Sequence, residues 1–457
     1  MKSRVRVFVG LALVAVFIAS AAFFSRESDP VFAGRRASAW ATDLLSADYS
    51  VRGEAETALK SLGERGVPQL CALLQRGDGP WEKARARLNG IWPFVGNCTI
   101  DPNSSRVRAA EMLGALGPNA RAAVPVLVAS LAHARTASES ERALVRIGSA
   151  SVPALEAALE SRKPAVRESA ARLLREFDFR RVEMIRALVA ARDDSTAAVR
   201  REAALSLGVA LSNNKSSKIE AERIISALLF LTQDRDSQVR AAAVKSCAQV
   251  AKPGENIVAA LSGALTDSNT TVRLEAAKSL WALRKDQGEI VPVLTKILAT
   301  TERWQAAYAL GDMGEHAAPA IPALARLLSE ERVPRPFRTP PSAAFALGKI
   351  GAAAVPAIVK LLRDPDARVR MNALMALGFM GKSGREAVPD LMKHLQDKDS
   401  EVRHTTALTL AAIGAEPESI IAGLSDCLAA EDIYMRSAAA AVLREIAPER
   451  TWHVQAE

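Results

Sequence analysis

Few residues in this chain combine a reactive type with a spacing that chemistry could use. The five histidines, His133, His316, His394, His404 and His453, are scattered. An iron centre built from His-Glu pairs needs several of them. Glu315-His316 is reversed in order and stands alone. The four cysteines, Cys71, Cys98, Cys247 and Cys427, form no CxxC pair, so a zinc reading fails. Ala376-Leu-Gly-Phe-Met-Gly-Lys-Ser383 fits a loose phosphate-loop pattern. Such a loop needs a preceding strand and an opening helix to aim its N–H groups at phosphate, and here the glycines close a helical run. No Gly-x-Ser-x-Gly elbow supports a serine hydrolase. The expectation is therefore a non-enzyme, with no catalytic residues, no cofactor and no metal.

What remains is a set of large apolar residues in fixed places of a repeat. The repeat is typified by Asp364-Pro-Asp-Ala-Arg-Val-Arg370, the run Met371 to Gly381, and Ala387-Val-Pro389. Aligned on the arginine of the Val-Arg pair, or its equivalent, the anchors fall at Arg52, Arg106, Ala137, Arg167, Arg200, Arg240, Arg273, Arg303, Pro340, Arg370, Arg403 and Arg436. Offsets +1, +5 and +8 from the anchor carry polar groups in the unit at Arg167, namely Glu168, Arg172 and Arg175. In later units they turn apolar: Leu274 and Trp281, Trp304 and Tyr308, Phe345, Met371 and Met375, Leu408, with His404 interrupting. At roughly 10 Å between adjacent helices this would be a ridge of about 40–50 Å. Exposed, such a ridge exceeds the apolar patch a monomer tolerates, and Trp, Tyr and Met favour interface cores.

The elements that must position these residues are legible in other columns. Seven past each anchor stand eleven leucines and Cys247, and three past stand Ala55, Ala109, Ala170 and further small residues. Offsets −1, +3, +7 and +10 make one stripe of an α-helix. Small residues at +3 let a neighbouring helix come close. Asp48, Asp236, Asp366 and Asp399 sit where a carboxylate caps free N–H groups, and Asp194, Asp234, Asp267, Asp364 and Asp397 lie in the turn before. Gly63, Gly117, Gly148, Gly314, Gly351, Gly381 and Gly414 stop the helix, and Pro68, Pro125, Pro153, Pro292, Pro322, Pro356 and Pro389 open the next one. The units at Arg167, Arg200, Arg240 and Arg273 lack the glycine. No stretch alternates with period two over a strand's length. The fold class expected is all-α, a solenoid of about twelve helix pairs.

The pattern Asp…Val-Arg-x-x-Ala-x-x-x-Leu-Gly-x-x-Gly…Val-Pro resembles the HEAT repeat family, in particular the short units also found in phycobilisome lyases. Among its members the chain looks like the bacterial, exported or membrane-anchored type. The resemblance implies helix pairs stacked into a superhelix that holds other proteins, with offsets +1, +5 and +8 lining the concave groove. Leu274, Trp281, Trp304, Tyr308, Phe345, Met371, Met375 and Leu408 are then candidate partner-binding residues for a protein or peptide. Two alternatives carry over from the same fold. One is a bilin-lyase-like enzyme or enzyme subunit. The other is a DNA-binding solenoid, which Arg142, Arg172, Arg175, Arg201, Lys245 and Lys278 at the groove offsets would serve. So few cations disfavour nucleic acid.

The net charge of +9 is assigned to arginines that recur in each repeat beside aspartates, since no run of like charge occurs. Apolar residues make up 49% of the 457, ample for a core, while aromatics are only 5%, which suits closely packed helices over a β-sandwich. Met1 to Arg6 is basic, and Val7 to Phe24 is uncharged and just long enough to span a bilayer. Residues 1–24 are read as a transmembrane anchor, with signal cleavage near Ala19-Ser-Ala21 and secretion as the alternative. Residues 25–36 are expected to be a tether and 37–457 the solenoid, placed outside the cytoplasm in a periplasmic or extracellular setting. Three excursions break the period: 76–105, which carries Trp81, Trp92 and Cys98; Ser212 to Ser217; and the Pro-rich 331–341. Across the first of them Cys71 and Cys98 could form a disulfide.

Overall fold

The computed structural model describes residues 29–46, 48–75, 102–177, 182–212, 217–250, 254–284, 288–331 and 340–414, with single positions between 421 and 444. Residues 1–28, Cys98, most of the 76–105 excursion and 332–339 lie outside the described residues. The chain divides into two compact units, Met1–Leu231 and Thr232–Glu457.

The first unit opens with an antiparallel hairpin of β1 (Val31–Phe32) and β2 (Arg35–Arg36). This corrects the tether expected over 25–36: from Asp29 onward the chain is folded. Helix α1 (Ala37–Asp43) follows, then α2 (Tyr49–Leu62), α3 (Val67–Leu74), α4 (Pro102–Leu116), α5 (Val124–Ser130), α6 (Ala137–Ile147), α7 (Val152–Ala158), α8 (Pro164–Leu174), α9 (Val182–Ala190), α10 (Ala197–Ser212) and α11 (Lys218–Leu231). The second unit holds α12 (Ser237–Cys247), α13 (Glu255–Ala264), α14 (Thr270–Arg284), α15 (Ile290–Ile297), α16 (Arg303–Asp312), α17 (Ile321–Glu330), α18 (Ser342–Ile350), α19 (Val355–Leu361), α20 (Ala367–Met380), α21 (Val388–His394) and α22 (Ser400–Ile413). From α2 onward the even-numbered helices carry the anchors or begin just after them. Successive ones pack side by side within each unit, α16 on α18 on α20 on α22 among them.

The expected signals act where they stand. Asp48, Asp236, Asp366 and Asp399 are N-caps, each accepting from N–H groups of the first turn. All seven stop glycines have positive φ, from 53° at Gly381 to 87° at Gly148, a region that L side chains avoid. One element carries no sequence signal of its own. Between the glycine and the Pro-opened helix the chain makes 3-10 turns, as in Gly117–Ala123 and Gly314–Ala320. The core is the column pattern itself: Leu59, Leu113, Leu144, Leu174, Leu207, Leu310, Leu347, Leu377, Leu410 and Leu443 are fully buried. Cys247 lies buried in the same column, and burial pushes its thiol up to about 12.

Three bonds repeat from unit to unit and fix one helix pair on the next. The anchor arginine donates to the carbonyl six residues back, as Arg167 to Ser161 at 2.7 Å and Arg403 to Asp397 at 2.8 Å. The same guanidinium reaches the turn aspartate of the following repeat, 27 residues on: Arg167 to Asp194, Arg240 to Asp267 and Arg370 to Asp397, at 2.6 to 2.7 Å. A small hydroxyl at offset +6 donates to the carbonyl at offset +4 of the preceding anchor helix: Ser206 to Ala171, Ser279 to Val244, Thr409 to Leu374. The side chains of these ion pairs are buried or nearly so. The Arg240 guanidinium holds the Asp267 carboxyl below the usual carboxylate range.

Candidate partner-binding face

Glycine at offset +8 decides how close the anchor helices come. A Cβ on Gly348 would stand 2.3 Å from the Cβ of Phe379, and one on Gly311 would stand 3.1 Å from Ala346 Cα and from the Phe345 ring. The bare backbone of one helix therefore seats the aromatic side chain of the next. The rings that result touch in series. Trp304 meets Tyr308 edge-on at 6.3 Å, Tyr308 meets Phe345 at 5.1 Å, and Phe345 meets Phe379 edge-on at 6.2 Å. Lys349 lies 5.7 Å from the Phe345 ring centroid. Trp281 stacks at a tilt on His316, 5.3 Å away.

The row is only partly the one expected. Trp304 is 54% exposed and Leu408 47%; Tyr308, Phe345, Met375 and Trp281 are half-buried. Leu274 and Met371 are 2% and 1% exposed and present no open surface. Phe379, absent from the expected set, is 46% exposed and extends the ring series. The open side of the anchor helices thus runs along offsets +5 and +9. Trp304 at +1 shares that side, whereas Leu274 and Met371 at the same offset are buried, and Gly311 and Gly348 at +8 lie against Phe345 and Phe379 of the next anchor helix. At about 100° per residue, +5 and +9 adjoin on one face.

In the first unit the same face is ionic and internally matched. Arg172 meets Glu141, which also accepts from Ser169 at 2.8 Å; Arg175 meets Glu202 at 2.9 Å; Arg201 reaches Glu202 at 3.0 Å and Glu168 at 3.6 Å; Arg142 meets Glu139 at 2.7 Å. In the second unit Lys278 is paired with Glu275 at 2.8 Å. Of the six groove cations counted from sequence, five are therefore neutralised by a carboxylate on the protein itself.

A family model described as HEAT repeats matches residues 225–302, 257–336, 341–384 and 381–444. Residues 225–444 are thus built of HEAT repeats. The HEAT solenoids of known structure that the chain is similar to include yeast importin-beta (Kap95p), at 16% identity over 91% of this chain and 61% of that one, with a TM-score of 0.56. A Kap95:Nup1 complex gives 16%, 91%, 61% and 0.57, and Kap121p bound to Nup53p gives 14%, 89%, 48% and 0.53. The chain spans less than two thirds of each of these karyopherins, and at such identity the likeness is one of fold. No curated protein matches the chain in sequence.

The loose phosphate-loop segment is the end of α20 and the start of the 3-10 turns Gly381–Ala387, with no strand before it. Among the described residues no group of three or more His, Cys, Asp or Glu is placed to hold a metal ion. Ser105–Ser130 is long and apolar enough to cross a membrane, but it is folded into the repeat stack and broken at Gly117, with Leu113 and Leu127 in the core. The expected anchor at 1–24 is outside the described residues.

Proposed function

We propose that this HEAT-repeat protein is a non-enzymatic scaffold that holds a protein or peptide partner on the aromatic row of its second unit. The observation that carries the reading is the continuous series Trp304, Tyr308, Phe345, Phe379, with Trp304, Phe379 and Leu408 about half exposed. Exposed aromatics clustered on a rigid scaffold have the composition of binding hot spots. The similar solenoids are named in complexes with Nup1 and Nup53p, which supports protein as the class of partner. Nucleic acid fits poorly, because the arginines that could face phosphate are already paired with Glu139, Glu141, Glu168 and Glu202.

The place of action in this proposal is outside the cytoplasm, with residues 7–24 as a membrane anchor. The support is the uncharged run behind the basic Lys2, Arg4 and Arg6. The test is crosslinking and mass spectrometry on the native membrane fraction, comparing the wild-type chain with Trp304→Ala/Phe379→Ala. A crosslinked protein lost in the variant supports the reading. Unchanged partner recovery together with a lowered melting temperature overturns it, since the rings would then be packing only against each other.

A further inference from the structure

How closely anchor helices stack in the second unit depends on the residue at offset +8. Gly311 lies against Ala346, and Gly348 against Ala376, in each case the +6 residue of the next anchor helix. Between α12 and α14 the small residue is Ala248. That junction is secured further by Ser279, which donates to Val244 O at 3.3 Å, and by Arg240, which pairs with Asp267 at 2.7 Å.

Between α14 and α16 each of these devices is missing. Offset +8 is Trp281, an indole where its counterparts carry a hydrogen or a methyl. Offset +6 of α16 is Ala309, which has no hydroxyl to donate. The turn position that Arg273 would reach holds Thr300 instead of aspartate, and the Thr300 hydroxyl bonds within its own turn, to Ile297 O at 2.8 Å and Glu302 at 3.0 Å. Arg273 keeps its bonds to Asp267 O and Ser268 O, at 2.7 and 3.0 Å, and Glu302 lies near enough to feel its charge. Among the described residues Arg273 nonetheless makes no ion pair. As a result α14 and α16 touch over much less of their length than α12 and α14, or α16 and α18, do. Trp281 leans instead on His316, in the 3-10 turns after α16. What joins the two sides is α15, which packs on both α14 and α16.

An unpaired polar atom marks the same seam. In α8, α10 and α20 the residue at offset +2 reaches back to an earlier repeat: Ser169 to Glu141 at 2.8 Å, Glu202 to Arg175 at 2.9 Å, Asn372 to Leu328 O at 3.0 Å. In α16 that residue is Gln305, and its Oε1 is buried with no hydrogen-bond partner. An acceptor left in this state penalises the present setting of the two helices, and a shift between them is what can relieve it. The first unit contains a junction of similar make, α6 on α8, with Val145 at +8, Leu173 at +6 and Ala137 in the anchor place. There Glu141 straps the helices together through Ser169 and Arg172. Among the described residues no side-chain bond straps α14 to α16; Lys278 pairs with Glu275 on its own helix.

We propose that the junction of α14 and α16 is a hinge, with Trp281 as its wedge and α15 as its pivot. Helices α16 to α22 are locked to one another by the bare +8 positions and by Thr409 on Leu374 O, and they turn as one block against α12 to α14. The ring series begins at Trp304, on the first helix past the hinge, so it moves as one piece and keeps its own spacings. What changes is the gap between that series and α14, which sets the girth of whatever lies beside the first ring. The hinge goes beyond the partner-binding reading and stands whether or not the row binds a partner.

The test is double electron–electron resonance on the full chain, with Cys71, Cys98 and Cys427 replaced by serine and the buried Cys247 left in place. Nitroxides at the exposed positions Glu255→Cys and Ser383→Cys span the hinge; at Glu315→Cys and Ser383→Cys both lie within the block. The expected result is a broader distance distribution for the spanning pair than for the block pair. Trp281→Ala/Thr300→Asp/Ala309→Ser rebuilds the missing devices and is expected to narrow the spanning distribution to the width of the block pair, which itself stays unchanged. Thr300→Asp alone, which restores only a partner for Arg273, is expected to narrow it by less, and it decides if the triple variant fails to fold. A spanning distribution as narrow as that of the block pair before any rebuilding overturns the hinge. So does a folded, rebuilt chain in which the spanning distribution stays broad.

Discussion

Five residues past the anchor, the first unit carries Arg142 and Arg172, and the second, after Lys245 and Lys278, carries Tyr308, Phe345, Met375 and Leu408. The columns that build the two units are the same: leucine at +7, a small residue at +3, an arginine reaching the next repeat's aspartate. The outward offsets alone differ. In the first unit Arg142, Arg172, Arg175 and Arg201 each have a carboxylate within reach, so that face is satisfied as it stands. In the second the rings meet each other edge-on or at a tilt, and Trp304, Phe379 and Leu408 keep open area. A packing code shared by both units thus leaves a second, independent code free to vary along the chain.

The comparison breaks most sharply if the shared code is cut. Arg370→Ala leaves Asp397 buried without its guanidinium and should cost about 3–5 kcal/mol, read by chemical denaturation; Arg167→Ala should act in the same direction in the first unit. Next comes the face itself. Trp304→Ala/Phe379→Ala should weaken partner binding by about 2–4 kcal/mol in titration calorimetry once the partner is identified. Gly348→Ala drives a methyl into Phe379 and should cost about 1–3 kcal/mol, lowering the melting temperature and disturbing the row from behind.

Acid gives a smaller effect common to both units. Asp194, Asp267 and Asp397 have depressed values: at Asp267 the Arg240 bond is the main cause, while at Asp194 and Asp397 burial pushes upward and the arginine and backbone bonds outweigh it. The unfolded chain then binds protons more readily, so this stability is present above an ordinary carboxylate value of about 3.9 and is lost as pH falls through the folded value. Melting curves should therefore be flat with respect to these groups near neutrality and fall steeply below about pH 4. Arg172→Gln, on the half-exposed Glu141 pair, should change stability by no more than about 1 kcal/mol and leave partner recovery unchanged. A large loss of recovery in that variant would move the binding face into the first unit.

Much of this was legible in the residues because each signal acts locally. A glycine that needs positive φ, an aspartate that caps its own helix and a leucine on a 3.6-residue stripe do their work within one repeat. What escaped involves a partner in the next repeat. The Arg-to-Asp link spans 27 residues, and nothing in a single repeat announces it. Leu274 and Met371 lie opposite the core stripe, which argues for the open face, yet both are buried, and nothing within their own repeats announces it. Phe379 escaped for the same reason, although Gly348, bare at the point of contact, was a readable hint. The hairpin escaped because two-residue strands carry no alternation to read.

The link from each arginine to the aspartate of its successor also bears on how such a chain can change length. Removing one whole period rejoins an arginine to an equivalent aspartate, and the join is chemically indistinguishable from the others. Removing half a period strands a guanidinium at one end and a carboxylate at the other. Whole periods are therefore the units whose gain or loss leaves every arginine with a partner, so that heritable change in length has a grain set by one side-chain pair.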